Sequence, residues 1–443
     1  MKPFRTILSL LAPAALFAAG PAPADLEALR AQAAQGDPLA QFNLGVRYER
    51  GDGVPKLGVE AAQWYRRAAE QGFAPAEFNL GALYASGTGV QLDPAEAVRW
   101  WRRAAAQGDA DAEYNLGSAY ANGAGVPKDP AAALNWYQQA AAQDHALAPY
   151  SIGVMYEQGD GVPKDTVEAL RWYRQAATLG LLAAQRRLGE IFAGGNGVPA
   201  DPAESAKWWR LAAAQGDAIA QYNLGVALAR GDGVPPDHAA ARHWYRLAAE
   251  QGYAEAQANL GLMAASGEGG KKDIAEAIKW YRLAAAQDVA EAQYNLGLLY
   301  ARGEDVPKDM TEAIKWIRQA ANLGLNRACH TLGIIYATGD GVPKDLAAAL
   351  PWYRQAAERG FALSMYDLVV VTLKPDGTAP DPVTARGWLR VAFALGFPPA
   401  GGLADKLGAA MTPEQLTASE KLAKALLEKF RRPAGATAPV PAR

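Results

Sequence analysis

Residues able to act as nucleophiles, acid–base catalysts or metal ligands are few in this chain of 443 residues. The four histidines are scattered, and the two nearest, His238 and His243, diverge on a helix and do not suit a shared metal ion. The motifs of a nucleophile elbow, a calcium loop and a Ser-x-x-Lys nucleophile are absent, and the Gly-Glu-Gly-Gly-Lys-Lys turn ending at Lys272 lacks P-loop spacing. We therefore predict no catalytic residue, no metal site and no cofactor.

The acidic pairs that do recur have the spacing of helix caps. Asp93 and Glu96 lie three residues apart, with Pro94 at the first helical position, which is the pattern of a capping box. The pattern recurs at Asp165/Glu168, Asp201/Glu204, Asp273/Glu276 and Asp309/Glu312. These carboxylates are therefore predicted to begin helices rather than to perform chemistry.

The helices belong to a repeating unit. The stretch from Phe73 to Gly108 predicts a helix, a glycine turn, a second helix and a stop, and it recurs with a period of 36 residues between Asp37 and Gly396. Tryptophan marks the period at Trp64, Trp100, Trp136, Trp172, Trp208, Trp244, Trp280, Trp316, Trp352 and Trp388. Such a period is typical of a solenoid, whose units bury their faces only against their neighbours. Either Trp100 or Trp101 fits the apolar stripe of its helix, and we expect this tryptophan ladder to fill the space between the two helices of each repeat as structural core, with a sugar-stacking platform as the alternative.

The full pattern resembles the Sel-one-like repeat, a longer relative of the tetratricopeptide repeat. Its residues are an Ala-x-x-x-Leu-Gly-x-x-Tyr helix, a Gly-x-Gly-Val turn, a capping Asp, and an Ala-x-x-Trp-Tyr-x-x-Ala-Ala helix ending at glycine. Nine clear units and a degenerate tenth carry it. The resemblance implies an all-α, right-handed solenoid of antiparallel helix pairs that serves protein–protein interaction. Similar bacterial proteins are adaptors and regulators in the periplasm or cell envelope.

The remaining segments predict an exported chain with capped ends. Residues 1–24 resemble a secretory signal peptide, with Lys2 and Arg5 before a short apolar core and an Ala-x-Ala site ending at Ala24. We expect a capping helix at 25–36, repeats at 37–396, capping helices at 397–431 and a disordered tail at 432–443. Cleavage would remove two positive charges and change the net charge from −2 to −4. We therefore predict a periplasmic location, or alternatively secretion, with no membrane-spanning segment in the mature chain.

One column of the first helices is a candidate binding groove. It is mostly aromatic and occupies Phe42, Phe78, Tyr114, Tyr150, Arg186, Tyr222, Ala258, Tyr294, His330 and Tyr366. By analogy with tetratricopeptide repeats these side chains would line a concave groove and contact a partner, since aromatic residues concentrate interface energy. The alternative is that they pack against the first helix of the adjacent repeat, and the two roles are not exclusive.

Two further departures from the repeat stand out. Arg186 and Arg187 replace an aromatic-Asn pair, either to anchor an acidic partner or to cover apolar surface with their stems. Cys329 replaces the Gln or Glu of most other units, which predicts partial exposure and leaves an intermolecular disulfide conceivable.

Three functions remain open at this level. The chain is favoured to be a periplasmic or envelope adaptor that binds a partner protein. A scaffold for peptidoglycan or polysaccharide is the alternative, and a penicillin-active hydrolase is the third, disfavoured because the cysteines of that branch of the family are absent. The chain has no basic run interleaved with aromatic residues, so we expect no nucleic-acid partner.

Overall fold

The computed structural model describes residues 23–304, 306–373 and 381–431, which form α-helices without a β-strand. The predicted signal peptide up to residue 22 and the predicted tail at 432–443 lie outside these ranges. The first helices are α1 (Pro23–Ala34), α2 (Pro38–Arg50), α3 (Gly58–Glu70), α4 (Ala74–Ser86), α5 (Pro94–Ala105), α6 (Ala110–Asn122), α7 (Pro130–Ala142), α8 (Leu147–Gln158), α9 (Thr166–Thr178), α10 (Leu182–Gly194), α11 (Pro202–Ala214) and α12 (Ala218–Arg230). The others are α13 (His238–Glu250), α14 (Ala254–Ser266), α15 (Ile274–Ala285), α16 (Ala290–Arg302), α17 (Met310–Asn322), α18 (Asn326–Thr338), α19 (Leu346–Ala357), α20 (Ala362–Thr372), α21 (Pro382–Ala394), α22 (Pro399–Gly408) and α23 (Pro413–Arg431).

The chain divides into two compact units, one running to Ala220 and the other starting at Gln221. Inside each unit consecutive helices pair, with even-numbered first helices and odd-numbered second helices from α2 to α21. The predicted all-α solenoid of helix pairs is therefore confirmed.

Local sequence explains where the helices begin and end. In the second repeat Asp93 accepts hydrogen bonds from the backbone N–H groups of Ala95 and Glu96, each at 3.0 Å. Gly87 ends the first helix of this repeat in the left-handed conformation, with φ of 70°. The predicted Asp N-caps are confirmed, because each satisfies N–H groups that a helix start leaves free. The reciprocal half of the box is not formed in this repeat, since the Asp93 N–H donates to the Tyr84 carbonyl at 3.0 Å and the Glu96 carboxylate accepts from Arg99 at 2.8 Å. At Leu57, where the capping Asp is missing, the structure shows no side-chain cap.

Each repeat is held together by close contact between its two helices. A Cβ atom added to Gly81 would lie 2.6 Å from the indole of Trp101, and one added to Gly153 would lie 2.7 Å from the ring of Tyr173. The Leu-Gly dipeptide therefore recurs because the second helix sets a side chain directly on that glycine. In the tenth repeat Val369 occupies the glycine position, and Leu389 replaces the ring.

The tryptophan ladder has a different place from the one expected between the two helices of a repeat. Trp100 packs with Tyr65, Ala68 and Ala69, which belong to the second helix of the preceding repeat. The following residue, Trp101, fills the space inside the repeat. The ladder is therefore part of the core, as predicted, but it joins neighbouring repeats.

Amide side chains join the two helices of a repeat at its far end. The Nε2 of Gln71 donates to the Oε1 of Gln41 at 2.8 Å, across a separation of 30 residues. Equivalent bonds join Gln107 to Glu77, Gln143 to Glu113, Gln215 to Gln185, Gln251 to Gln221 and Gln287 to Gln257. We call these six contacts the amide pairs. The accepting side chain of each pair, on the first helix, is buried, so the hydrogen bond satisfies a polar group that water does not reach.

The C-terminal helices cover the last repeat. α23 begins after Thr412, whose hydroxyl and backbone N–H exchange hydrogen bonds with Gln415 at 3.3 and 3.0 Å. Ala423, Leu426 and Phe430 of this helix pack on the core cluster of the ninth and tenth repeats. The apolar face that a further repeat would cover is therefore covered by α23.

Candidate functional site

The aromatic column of the first helices lies at the junctions between repeats. The Tyr114 ring packs on Tyr137 of its own repeat, with centroids 5.5 Å apart, and stacks on His145 of the next repeat at 4.6 Å. Tyr222 makes the same two contacts with Tyr245 and Tyr253, at 5.8 and 5.0 Å. Equivalent ring contacts join Phe42 to Tyr65 and Phe73, Tyr150 to Tyr173, and Tyr366 to Phe397. The rings are therefore fixed by packing on the second helix of their own repeat and, for Phe42, Tyr114 and Tyr222, on a residue just before the next first helix. This packing leaves a contact with a partner open.

Burial divides the column into two classes. Phe42, Phe78 and His330 are buried, whereas the tyrosines of the column and Arg186 remain partly exposed. Burial also raises the pKa of the Tyr114, Tyr150 and Tyr222 hydroxyls, so these groups stay protonated and neutral. The partly exposed tyrosines can offer an edge to a ligand, but their rings are part of the fold.

His330 is a core residue. Its Nδ1 lies 3.0 Å from the Oγ of Ser364, and its ring contacts Tyr353 and Phe361. Burial lowers its pKa to about 4, so the imidazole is neutral at pH 7. It therefore contributes neither a charge nor a metal ligand to the surface.

Arg186 and Arg187 are engaged by carboxylates of the same chain. Arg187 donates to Glu157 and, at 3.1 Å, to Glu190. Arg186 lies 3.5 Å from a carboxylate oxygen of Asp217. The three carboxylates balance the two cations, so this cluster carries no excess positive charge with which to hold an acidic partner.

A neighbouring column, four residues further along each first helix, was missed by the sequence reasoning. In the second unit it is aliphatic throughout, at Val226, Leu262, Leu298, Ile334 and Val370. Leu262 is 50% exposed and Ile334 is 40% exposed. In the first unit the same positions carry Val46, Ala82, Ser118, Val154 and Glu190. Residues four apart share one helix face, so this column adjoins the aromatic one and could have been found by extending the period.

The tryptophan ladder is not an open stacking platform. Cations of the same chain lie near the ring faces, with the guanidinium of Arg67 4.3 Å from the Trp64 ring and that of Arg103 4.6 Å from the Trp100 ring. Lysines or arginines approach Trp172, Trp208, Trp280 and Trp316 in the same way, at 5.0 to 5.3 Å. These faces already have partners, which disfavours their use for stacking on sugars.

The prediction that Cys329 is partly exposed is wrong. The residue is fully buried, and its thiol lies 3.7 Å from the carbonyl oxygen of Ala321. Gln41, Gln185, Gln257 and Gln293 bond the equivalent carbonyl, so Cys329 replaces a buried glutamine rather than a surface one. Burial raises the pKa of the thiol, which keeps it unreactive. Within the described ranges no group of three or more potential metal ligands occurs.

Comparison with known families agrees with this geometry. The model of the Sel1 repeat matches ten consecutive segments, at 38–73, 74–109, 110–145, 146–181, 182–217, 218–253, 254–289, 290–325, 326–361 and 364–397. The chain belongs to the Sel1 repeat family. Sel1 repeat proteins generally serve as protein-interaction scaffolds, and their solenoid is typically a non-catalytic one.

Two solved structures show the same arrangement of Sel1 repeats. A protective antigen of uropathogenic Escherichia coli strains is 34% identical, with a TM-score of 0.65, and the match covers 91% of this chain and 95% of that protein. A Sel1 repeat protein from Oxalobacter formigenes is 36% identical, with a TM-score of 0.50, over 68% of this chain and 87% of that one. No curated protein sequence matches this chain. In the described residues no helix has the length and apolar character needed to cross a bilayer.

Proposed function

We propose that this Sel1 repeat protein is an exported adaptor or regulator of the bacterial envelope, and that it binds a partner protein through the first helices of its second unit. The observation that carries the proposal is the aliphatic column from Val226 to Val370. Solvent-exposed leucine and isoleucine at regular intervals cost solubility, and contiguous apolar surface of this kind is characteristic of interaction sites.

The chemistry of the column favours one kind of partner. Neighbouring first helices pack on one another, as α14 does on α16 and α18 on α20. Packed helices have axes about 8–10 Å apart, so the column presents an apolar side chain at that interval. An amphipathic helix with apolar residues seven positions apart has a spacing of about 10.5 Å. The partner is therefore a protein that offers a regularly spaced apolar face, and the tyrosine edges beside the column add polar contacts.

Export is supported by the first 24 residues alone. Their positive start, apolar core and Ala-x-Ala site have the order of a secretory signal peptide. The single buried Cys329 is compatible with an oxidising compartment, because it neither forms an intrachain disulfide nor exposes a reactive thiol. The proposed location is the periplasm, with secretion as the alternative.

The experiment is a crosslinked pull-down from periplasmic and envelope fractions, in which the recovered mature chain should begin at Asp25. The test variant replaces Leu262 and Ile334 by Gln. The matched control makes the same change to Gln at Leu283 and Leu323, which are 43% and 48% exposed but lie outside the column. We expect one protein partner to be lost by the test variant at least about tenfold and kept by the control, because buried apolar anchors dominate binding energy.

Two outcomes would contradict this assignment. If the same partner is recovered by both variants, the column is not its site. If no protein is recovered but the chain is retained on purified cell-wall material, the scaffold for peptidoglycan or polysaccharide takes its place. Substitution of the column tyrosines is a poorer test, since their packing between repeats makes a folding defect the expected result.

A further inference from the structure

The junction of the sixth and seventh repeats departs from the family pattern at four positions. Arg242, on the preceding second helix, stands where the first nine repeats otherwise have an alanine or an aliphatic residue. Gly270 and Lys271 replace the Val of the turn and the Pro that usually follows it. Ala264 replaces the aromatic residue at the end of the first helix. The tenth repeat also has an arginine at this position, Arg386, but there Ser419 and Glu420 of α23 bind its guanidinium.

Two of these departures depend on each other. Arg242 is 9% exposed, and it donates one hydrogen bond to the Lys271 carbonyl at 3.1 Å and one to Glu276 at 2.8 Å. A Cβ atom at position 270 would lie 2.4 Å from the Nη1 of Arg242. Glycine at 270 therefore makes the space in which the guanidinium lies.

The arginine retains unused hydrogen-bonding capacity. Its Nε is buried and has no hydrogen-bond partner among the described residues. A guanidinium has donors in a planar fork that suits a carboxylate or phosphate, and an unpaired donor in a buried charged group is costly. The guanidinium of Arg242 thus has a donor that its surroundings leave without an acceptor.

The third departure changes the partner of Arg246. At the equivalent position in other repeats, Arg102 and Arg282 donate to the hydroxyls of Tyr120 and Tyr300, at 2.6 and 2.8 Å. Ala264 offers no such hydroxyl, and Arg246 instead lies 2.7 Å from the Glu276 carboxylate that also pairs with Arg242. One carboxylate therefore serves two arginines.

These side chains surround a recess of about 310 Å³ between α13 and the turn that joins α14 to α15. Its lining includes Arg242, His243, Arg246 and Lys271. Among the residues that the structure describes, Glu276 is the carboxylate that pairs with its two arginines, and Glu268 of the same turn lies 2.8 Å from the Nδ1 of His238. Arg242, Arg246 and Lys271 bring three positive charges against the two negative charges of Glu276 and Glu268, so the recess keeps an excess of positive charge.

We infer that this recess, made by Arg242, Arg246 and Lys271, is a binding site for a compact oxyanion, which is a phosphate or carboxylate group carried by a ligand. The ligand completes the hydrogen bonding of the arginine forks and neutralises the excess charge. The site is independent of the aliphatic column, and its assignment does not rest on the proposed adaptor function. The site gives the junction of the sixth and seventh repeats a chemical role that the neighbouring junctions lack.

The test is a titration of the full mature chain with inorganic phosphate and, separately, with acetate, at constant ionic strength set by chloride. Binding is followed by NMR shifts of the backbone amides in the 267–273 turn. The first variant is Arg246→Gln, and its matched control is Arg282→Gln, which removes the same charge from the same position of the next repeat. The second variant, Arg242→Ile with Gly270→Val and Lys271→Pro, introduces the residue types of the next junction, at Ile278, Val306 and Pro307, and is called the restored variant.

We expect saturable shifts in the native chain, at least about tenfold weaker binding in Arg246→Gln, and no saturation in the restored variant, because charge-assisted bonds to the anion are lost. Arg282→Gln should bind as the native chain does. Saturation by phosphate alone assigns the site to phosphoryl groups, and saturation by acetate as well extends it to carboxylates. Absence of saturation with both anions, undiminished binding in the restored variant, or equal weakening in Arg282→Gln would overturn the inference.

Discussion

Two arginines that break the repeat, Arg187 in the first unit and Arg242 in the second, have opposite surroundings. Arg187 lies between Glu157 and Glu190, and Glu157 also accepts a hydrogen bond from Tyr173 at 2.7 Å. Arg242 shares its one carboxylate with Arg246 and borders an open recess. The first arginine completes a balanced network, whereas the second creates an unbalanced one.

The difference shows what distinguishes a structural charge from a binding one. In the sequence the Arg186-Arg187 pair is a more conspicuous departure from the repeat than the turn ending at Lys272. That turn looks like a variant of the usual turn between the two helices of a repeat. Around Arg187 carboxylates meet both guanidinium groups, while around Arg242 a donor remains without a partner among the residues described. Unmet hydrogen bonding in a charged recess, rather than an unusual residue type, is therefore the better indicator of a site.

The largest expected effect is on stability at the balanced network. Replacing Arg187 by Met should lower the free energy of unfolding by about 2 kcal/mol, because Glu157 loses a charge-assisted hydrogen bond in a partly buried place. Urea denaturation of the purified chain measures it. The control is Arg186→Met, which removes longer and more exposed ion pairs and should cost about 0.5 kcal/mol. Equal losses in both variants would show that Arg187 is not specially engaged.

A smaller effect of opposite sign is expected at the unbalanced network. The variant Arg242→Ile, Gly270→Val, Lys271→Pro should raise the free energy of unfolding by about 1 kcal/mol in phosphate-free buffer, since apolar packing replaces an imperfectly paired buried charge. The same urea denaturation compares it with the native chain. A loss as large as that of Arg187→Met would mean that Arg242 serves the fold and would remove the contrast between the two regions.

The smallest effect is a pH dependence of the first network. Burial raises the pKa of Glu157, but hydrogen bonds from Arg187 and Tyr173 outweigh it, so the pKa lies below its ordinary value of 4.5. A carboxyl whose pKa is lowered by folding stabilises the native state above its unfolded pKa, and this contribution disappears as the pH falls through the folded pKa. The stability gap between the native chain and Arg187→Met should therefore be complete at pH 7 and shrink by about 1 kcal/mol below pH 4.5, after allowance for solvent screening. Urea denaturation across this range checks it, and a constant gap would contradict it.

The sequence predicted the fold well because the signals of the fold are local. A capping Asp such as Asp93 and a positive-φ glycine such as Gly87 act within a few residues of their own position. The start and the end of each helix can therefore be predicted from the sequence of its own repeat. The close contact inside a repeat was harder to assign, since either Trp100 or Trp101 satisfied the helical period. The space left by Gly81 decides for Trp101.

The candidate site was less predictable because it depends on register between repeats. Cys329 was expected to be partly exposed, yet its thiol contacts the Ala321 carbonyl of the preceding helix and lies in the core. The charge of Arg242 is meaningful only with Gly270, which lies in the next repeat and contacts it through space. A period describes what each repeat has in common, and it does not show which two departures in different repeats touch.

The amide pairs impose a rule on how such an array can be rearranged. Gln71 and Gln41 lie on the two helices of one repeat, so a duplication or recombination that cuts between repeats keeps both partners, whereas a crossover inside a repeat separates them. Where one member is changed, as at Leu323, the Oε1 of Gln293 is buried without a hydrogen-bond partner in the described part of the chain. Pro149 and Leu179 show the alternative, in which both members have become apolar. Each repeat therefore brings both halves of its pair with it and can be moved as a whole, whereas a chimaera that joins the first helix of one repeat to the second helix of another is accommodated only where the two helices carry matching halves.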